Sequence, residues 1–365
     1  MGKVAIIGSG HGGCTAAAYL GKRGHETRLY DSEAFAGNLT AIREHGGLEL
    51  TGADTGFGPI AMATTDLDQV LDGVKMVLVI VPGFGHKPIA KDIATHLKDG
   101  QIVVLAPGSV FGALEFKNEL AANGCKADVV IGETASNYFA CRRIAPDKVR
   151  VTGIKKYMPL ATIPASKAKE ATECLCEFFP NTIAWDNIVH TSFADLNAIV
   201  HPIGTVLNTG WLETTKGNFD FYWEGISPGV ARAMERLDEE KVAVGKALGF
   251  TVQSQLSLIQ SFYGHPERTT LHEWFSKSEV NGGTGPSAPQ AMTNRYVTED
   301  VPYGLVPMAQ LGHAIGVPTP NMDAVINLCS SINDENYWET GRTLKSLGLE
   351  GLEKDAIVRR LTEGK

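Results

Sequence analysis

The stretch KVAIIGSGHGG, residues 3–13, joins a short apolar run to a glycine-rich loop with the spacing Gly8-x-Gly10-x-x-Gly13. The alanine-rich stretch that follows, residues 15–24, has the composition of a helix that ends at a glycine. In a strand–loop–helix of this kind, the first glycine permits a tight turn, the second lets a diphosphate approach the backbone, and the third allows close packing. The helix N-terminus adds unpaired N–H groups and a positive dipole, which favour bound phosphates.

An acidic residue ends the next predicted strand, residues 25–31. Asp31 lies 23 residues after Gly8, where a carboxylate can bind both hydroxyls of an adenosine ribose and would repel a 2′-phosphate. Strand, loop and acid together predict a dinucleotide-binding domain that prefers NAD to NADP. The residues expected to bind the cofactor here are Gly8, Ser9, Gly10, His11, Gly12, Gly13 and Asp31.

Further apolar runs alternate with helical patterns over the first 150 residues, which predicts a doubly wound α/β domain with a parallel sheet. The runs are residues 60–67, 75–83, 101–109 and 127–134. Two of them end in glycine–proline turns at Pro82 and at Pro107–Gly108. Ligands bind at the carboxyl ends of such strands. We therefore expect Pro82, Pro107 and Gly108 to contact the nicotinamide side of the cofactor, the alternative being plain strand-to-helix turns.

The pattern changes after about residue 186, where β-branched runs become rare and helical spacing dominates. Helical stretches are predicted at residues 188–212, 226–248 and 305–331. We place the boundary after a possible strand at residues 181–187. This gives a Rossmann-type NAD-binding domain over residues 1–187 and a mostly α-helical substrate and catalytic domain over residues 188–365.

Composition narrows the class of protein. The net charge of −8 and the lack of a basic stripe argue against a nucleic-acid partner. No apolar run approaches the roughly 20 residues that span a bilayer, and the N-terminus enters a strand without a leader, so we expect a cytoplasmic protein without a membrane partner. The six cysteines form no CxxC pair and no zinc-like spacing, which predicts buried thiols and no metal site.

The stretch LNAIVHPIGTVLN, residues 196–208, puts polar groups into an apolar helical pattern. His201 is preceded one turn earlier by Asn197 and followed seven residues later by Asn208, while Pro202 would kink the helix. A nicotinamide enzyme must move a proton together with the hydride, and histidine suits that task because its pKa lies near neutrality. The pattern indicates the wall of a substrate cavity. The alternative is a buried histidine bonded to a carbonyl.

A second polar cluster occurs in NRYVTEDVPYGLVP, residues 294–307. The planar fork of Arg295 suits a carboxylate substrate. Asp300 could orient the histidine and stabilise its charged form. An ordinary surface ion pair is the alternative reading of the same residues.

Taken together, these motifs resemble those of the opine dehydrogenases. The matching pieces run through nearly the whole chain in the family's order: GSGHGG, VPGFGHKPIA, PGSVFGALEF, IGETASNYFACR, HTSFADLNAIVHP, YWEGISPGV, NRYVTEDVPYGLVP and GVPTPNMDAVINL. The resemblance implies reductive condensation, in which the amine of an L-amino acid joins an α-keto acid, typically pyruvate, and NADH reduces the imine. It also implies a homodimer.

The family's catalytic histidine, arginine and aspartate correspond to His201, Arg295 and Asp300. Cys141, in FACR, falls in the family's keto-acid region and either contacts substrate or packs as an ordinary thiol. The remaining candidates for substrate contact, each of which could equally serve packing, are Asn197, Asn208, Tyr222, Trp223 and Tyr303.

Two other functions are alternatives to this one. A ketopantoate-reductase-like or glycerol-phosphate-dehydrogenase-like enzyme would rely on a lysine, and none lies between His190 and Trp211. A non-catalytic NAD-binding redox sensor would keep the glycine loop and Asp31 but would not need the three catalytic positions. The sequence therefore favours an NAD-dependent oxidoreductase that acts on a CH–NH group.

Overall fold

The structure, a computed structural model, describes residues 1–278, 280–283 and 285–365. The chain forms two compact units. The first consists of Met1–Gly108, Gly112–Thr191 and Leu361–Lys365, and the second of Ser109–Phe111 and Ser192–Arg360. The last five residues thus belong with the N-terminal unit.

All strands of the described chain lie in the first unit. They are β1 (Lys3–Ile7), β2 (Glu26–Tyr30), β3 (Gly47–Gly52), β4 (Gly56–Pro59), β5 (Met62–Thr64), β6 (Met76–Val79), β7 (Ile102–Leu105), β8 (Val130–Thr134), β9 (Phe139–Ala145), β10 (Lys148–Ile154), β11 (Met158–Ile163) and β12 (Thr182–Ala184). Eight form one sheet in the order β12-β11-β8-β7-β6-β1-β2-β5, and four form a second in the order β4-β3-β10-β9.

The large sheet confirms the predicted α/β fold. β1 pairs in parallel with β2 and β6, and β7 pairs in parallel with β6 and β8. Every residue of β6 and β7 is buried, because helices cover both faces of a parallel sheet. The carboxyl ends of β1, β6 and β7 consequently meet at one edge, where the predicted glycine-containing turns follow them.

Each helix of this part of the chain follows a strand. They are α1 (His11–Lys22), α2 (Gly37–His45), α3 (Leu67–Leu71), α4 (His86–Ile93), α5 (Gly112–Ala122), α6 (Ala168–Cys176) and α7 (Ile188–Ser192). Asp66 caps α3, since its side chain accepts a hydrogen bond from the backbone N–H of Gln69 at 3.1 Å.

The small sheet was not predicted from the sequence. Two of its strands, GLELTG and GFGP, are rich in glycine and therefore read as loops. The glycines have a packing reason, because a Cβ at Gly58 would overlap the backbone of Ala18 in α1. Apolar side chains of this sheet join the core of the first unit, among them Leu48, Leu50, Val149 and Val151.

The second unit confirms the predicted mostly α-helical domain. Its helices are α8 (Leu196–Val206), α9 (Thr209–Thr215), α10 (Pro228–Ala247), α11 (Gln255–Tyr263), α12 (Leu271–Phe275), α13 (Arg295–Thr298), α14 (Val306–Ala314), α15 (Pro320–Asn333), α16 (Tyr337–Thr340) and α17 (Lys354–Glu363), whose end enters the first unit. A π-helical turn, Val301–Leu305, precedes α14. Within the described residues, no helix has the length and apolar character needed to cross a membrane.

The helical stretch predicted at residues 188–212 is divided into α7, α8 and α9. The first break lies between α7 and α8, where Asp195 caps α8. Its carboxylate accepts a hydrogen bond from the backbone N–H of Asn197 at 3.0 Å. The second break lies between α8 and α9, at Asn208, whose side-chain amide donates to the carbonyls of Gly204 and Gly225. α8 itself continues through Pro202.

Candidate active site

The glycine loop between β1 and α1 has the geometry of a dinucleotide cradle. Gly8 has φ of +109°, and a Cβ there would lie 2.6 Å from the carbonyl oxygen of Ile80. A Cβ at Gly13 would overlap the carbonyl oxygen of Gly8, whereas a Cβ at Gly10 would meet no protein atom within 4 Å. Open space at Gly10, directly before the N-terminus of α1, leaves room for a diphosphate. The residues present therefore fit an NAD cofactor.

Asp31, which directly follows β2, is tied to the same loop. The backbone N–H and the hydroxyl of Ser9 both donate to Oδ2 of Asp31, at 2.7 and 2.5 Å, and the backbone N–H of Ser32 donates to Oδ1. Asp31 is buried. Asp31, which the sequence predicts to bind the ribose, is thus hydrogen-bonded to the glycine loop.

Strand β9 supplies a cofactor-side residue that sequence reasoning missed. The backbone N–H of Arg143 donates to Nδ1 of His11 at 3.1 Å, and its guanidinium donates to the carbonyls of Ser9 and Asn38 at 3.4 and 2.9 Å. This places a cation against the glycine loop. No local motif announces Arg143, because 132 residues separate it from His11.

The other predicted cofactor residues lie along the same edge of the first unit. A Cβ at Gly12 would meet the side-chain amide of Asn137 at 2.5 Å. Pro82 precedes the short turn after β6, and the N–H of Gly108 donates to the carbonyl of Thr134 at 3.2 Å after β7. Pro107, which follows a cis peptide bond, lies in the same turn as Gly108.

Cys141 is also in the first unit, on β9. Its thiol donates to the carbonyl of His11 at 3.6 Å, and burial raises its pKa. The structure thus puts Cys141 beside the glycine loop as a protonated thiol.

In the second unit, His201 lies in α8 and makes two side-chain hydrogen bonds. Its Nδ1 is 2.7 Å from Oδ2 of Asp300, and its Nε2 is 2.9 Å from the hydroxyl of Tyr222. The ring of Tyr296 stacks on the imidazole, with centroids 3.6 Å apart and planes within 7°. Only 7% of His201 is exposed. The imidazole is therefore fixed in position by three side chains.

Burial dominates the electrostatics of this group. It lowers the pKa of His201 to about 3 and raises the pKa of Asp300 well above its usual value, with further raising by the charge of Glu299. Burial, together with the charge of Asp300, raises the pKa of Asp195 to about 7. His201 is consequently neutral near pH 7.

Arg295 begins α13, one helical turn before Glu299. Its guanidinium nitrogens Nε and Nη2 both lie 2.6 Å from Oε2 of Glu299. The side chain of Arg295 is 60% exposed, while that of Glu299 is buried. A cation anchored at one side and exposed at the other can bind a substrate carboxylate.

The remaining predicted substrate residues differ in their surroundings. Asn197 is exposed, and the side-chain amide of Asn208 donates to two backbone carbonyls. The indole N–H of Trp223 donates to the carbonyl of Ser278 at 2.9 Å. The ring of Tyr303 lies 5.3 Å from the guanidinium carbon of Arg342. Of the predicted aromatic residues, Tyr222 is the one whose side chain hydrogen-bonds to His201.

Sequence reasoning missed Tyr296, Glu299 and Asp195 as members of the His201 cluster. Tyr296 and Glu299 lie within the quoted stretch NRYVTEDVPYGLVP, so their proximity to Asp300 was available as a signal. Asp195 was signalled less clearly, by its position just before an apolar helical run.

Comparisons with known proteins identify the family of the chain. Residues 184–333 match the family model described as NAD/NADP octopine/nopaline dehydrogenase, alpha-helical domain, and residues 3–124 match NAD-dependent glycerol-3-phosphate dehydrogenase N-terminus. The chain is 37% identical over 349 residues to the opine dehydrogenase of Arthrobacter sp. (strain 1C), covering 95% of both chains. It is 30% identical to the protein ocs of Agrobacterium vitis, covering 99% of both.

Solved structures of octopine dehydrogenase share the fold. One with NADH and L-arginine superposes with a TM-score of 0.78 at 19% identity, and one with NADH and pyruvate with 0.77 at 20% identity. Each comparison covers 100% of this chain and 98% of the other. The cofactor of this chain is NAD(H). The chain therefore belongs to the opine dehydrogenase family of NAD-dependent oxidoreductases, which join an α-keto acid to the amine of an amino acid by reduction.

Proposed function

We propose that this chain condenses pyruvate with the amine of an L-amino acid, and that His201, Arg295 and Asp300 form its reacting centre. The observation that carries the proposal is the buried His201–Asp300 hydrogen bond of 2.7 Å. A carboxylate at one ring nitrogen stabilises an imidazolium that forms when the other nitrogen takes a proton. Pyruvate and an amino acid are also the molecules found with octopine dehydrogenase.

The overall reaction consumes one proton besides the hydride. A keto acid, the ammonium form of an amine, NADH and a proton give a secondary ammonium, NAD⁺ and water. NADH, when bound, supplies the hydride that reduces the imine carbon. The protein must take a proton from the ammonium so that its nitrogen can attack, and must return a proton to the carbinolamine oxygen so that it leaves as water.

His201 suits the first of these transfers. The imidazole is neutral at the pH where the amine is still an ammonium, so Nε2 can take the proton. Burial, which lowers the pKa of His201, opposes this transfer, and the carboxylate of Asp300 at Nδ1 offsets that effect. Asp300 then stabilises the imidazolium that results, and the same imidazolium is the acid that protonates the departing oxygen. One histidine therefore serves both steps.

Arg295 is proposed to bind the carboxylate of the keto acid. Its exposed guanidinium, held by Glu299, can offer two parallel N–H donors to a carboxylate. The positive charge would also draw electron density from the adjacent carbonyl and favour attack by the amine. Removal of Glu299 would leave the cation mobile and weaken keto-acid binding.

On the cofactor side, we propose that the loop from Gly8 to Gly13 holds the diphosphate and that Asp31 binds the adenosine ribose. Pro82, Pro107 and Gly108 are proposed to face the nicotinamide, and Cys141 to border the keto acid. Tyr222, Trp223 and Tyr303 are proposed to line the amine pocket, and Asn197 and Asn208 to contact substrate. We further propose a cytoplasmic homodimer, to be measured by light scattering.

The experiment that tests this function follows NADH oxidation at 340 nm with pyruvate and a panel of L-amino acids, each substrate omitted in turn. Oxidation that requires both substrates supports condensation, and the best amine identifies the donor. Oxidation with a keto acid alone would identify a keto-acid reductase instead. The product mass should equal the sum of both substrates minus one oxygen atom.

A further inference from the structure

The hydroxyl of Tyr222 lies against Nε2 of His201, where a proton exchanged with the substrate would have to pass. Its oxygen is 2.9 Å from Nε2, while Nδ1 is 2.7 Å from the carboxylate of Asp300. The hydroxyl of Tyr296 lies 3.4 Å from the same Tyr222 oxygen. Both ring nitrogens of His201 are therefore hydrogen-bonded to side chains, Nδ1 to Asp300 and Nε2 to the hydroxyl of Tyr222.

The position of Tyr222 is well defined. Its backbone N–H donates to Oδ1 of Asp220 at 3.0 Å, and Oδ2 of Asp220 accepts the N–H of Gly283 at 2.7 Å. Its ring stacks on Phe275, with centroids 5.5 Å apart. Tyr222, whose hydroxyl contacts His201, is thus held in position through both its backbone N–H and its ring.

The direction of the hydrogen bonds follows from the acceptor at Nδ1. The carboxylate form of Asp300 is favoured by the cation of Arg295 and opposed by burial. In that form Asp300 can only accept a hydrogen bond, so the neutral imidazole carries its proton on Nδ1 and has a lone pair on Nε2. The hydroxyl of Tyr222 then donates to Nε2, and the lone pairs of its oxygen remain to accept a proton. Burial raises the pKa of Tyr222 well above its usual value, so the phenol keeps its own proton at neutral pH.

We propose that the proton exchanged between substrate and His201 passes through the hydroxyl of Tyr222, which makes Tyr222 a catalytic residue of the proposed condensation. In the first transfer, the substrate ammonium gives a proton to the Tyr222 oxygen while the Tyr222 O–H proton moves to Nε2. In the second, Nε2–H protonates the Tyr222 oxygen while its O–H proton moves to the carbinolamine oxygen, which leaves as water. Tyr222 ends each transfer unchanged.

The alternative is that the phenol merely fills the space and is displaced by substrate. The two readings predict opposite results for Tyr222→Phe, which keeps the ring stacked on Phe275 and removes only the hydroxyl. Loss of a relay should lower the rate of a single turnover by about 100-fold, the lower range for a positioned acid–base group. Loss of a space-filling hydroxyl should leave that rate unchanged or raise it.

The test measures single turnovers of the full-length enzyme, premixed with NADH and then mixed with pyruvate and the best amine. Tyr296→Phe is the matched control, because it removes a neighbouring hydroxyl whose oxygen is not the one bonded to Nε2, and it should lose less than tenfold. Tyr337→Phe removes a phenol hydroxyl that pairs with Asn333, and should keep the wild-type rate. A Tyr222→Phe rate within threefold of wild type would overturn the proposal, as would an equal loss in Tyr296→Phe.

A second readout separates a relay from a structural role. The wild-type single-turnover rate in mixtures of H2O and D2O should depend quadratically on the deuterium fraction, since two protons move together, and should become linear in Tyr222→Phe. If that variant fails to bind NADH, the wild-type dependence decides alone, and a linear one overturns the relay. Absence of any wild-type condensation would instead count against the proposed function.

Discussion

Replacing Asp300 with asparagine tests the negative charge that the proposed mechanism requires at Nδ1 of His201. The amide is nearly the same size as the carboxylate, so packing around the buried pair is kept while the negative charge is lost. With charge centres about 4 Å apart and an effective dielectric near 20, the imidazolium loses about 4 kcal/mol of stabilisation. If the imidazolium forms in the rate-limiting step, kcat should fall about 1000-fold.

The assay is steady-state NADH oxidation with saturating keto acid and amine, together with NADH binding measured by fluorescence. Glu299→Gln is the matched control, because it makes the same chemical change one residue away, at the partner of Arg295. We expect it to raise the KM of the keto acid and to lower kcat less than tenfold. Retention of more than a tenth of the wild-type kcat by Asp300→Asn, with NADH affinity unchanged, would refute the role of the charge.

Four further predictions follow from the same contacts. His201→Ala should bind NADH normally and lose at least 100-fold in kcat, and near-normal turnover would remove His201 from the mechanism. Asp195→Asn keeps the cap on α8 but removes a carboxyl with a pKa of about 7. A carboxyl whose pKa is higher in the folded than in the unfolded chain lowers the wild-type free energy of unfolding as the pH rises from about 4 to about 7. Urea titrations should therefore find the variant more stable than the wild type by up to about 4 kcal/mol at pH 8 and of similar stability at pH 4. Gly10→Ala should fold normally and lose NADH affinity in calorimetry, whereas Gly13→Ala, whose Cβ overlaps the loop, should also lower the melting temperature. Asp31→Ala should reduce the ratio of NADH to NADPH activity, and an unchanged ratio would separate this carboxylate from the ribose.

The large sheet of the first unit was predictable because its physical signals are local. Residues 75–83 and 101–109 are continuous apolar runs, and the buried strands β6 and β7 lie inside them. Each observed strand is shorter than its run, since the turn residues that follow are also apolar or glycine. The glycine loop was equally clear, because Gly8, Gly10 and Gly13 have the spacing of a dinucleotide-binding loop and directly follow an apolar run.

The small sheet and the surroundings of His201 depend on contacts that are distant in sequence. β3 pairs with β10, about 100 residues later, and no periodicity in either strand encodes that partner. In the same way, 99 residues separate His201 from Asp300, and 21 separate it from Tyr222. The residue type of Asp300 suggested a partner for the histidine, but no sequence pattern indicated the hydrogen bond between Tyr222 and Nε2.

The backbone after Asp300 explains how an aspartate reaches into the side of an apolar helix. The N–H of Leu305 donates to the carbonyl of Asp300, which starts the π-helical turn Val301–Leu305. A Cβ at Gly304 in that turn would lie only 2.7 Å from the Cβ of Ala198 in α8. Small residues on both sides therefore let the two segments approach closely, and single π-helical turns are frequent at functional sites. The apolar character of α8 is thus part of the chemistry, because it buries the imidazole that Asp300 must reach.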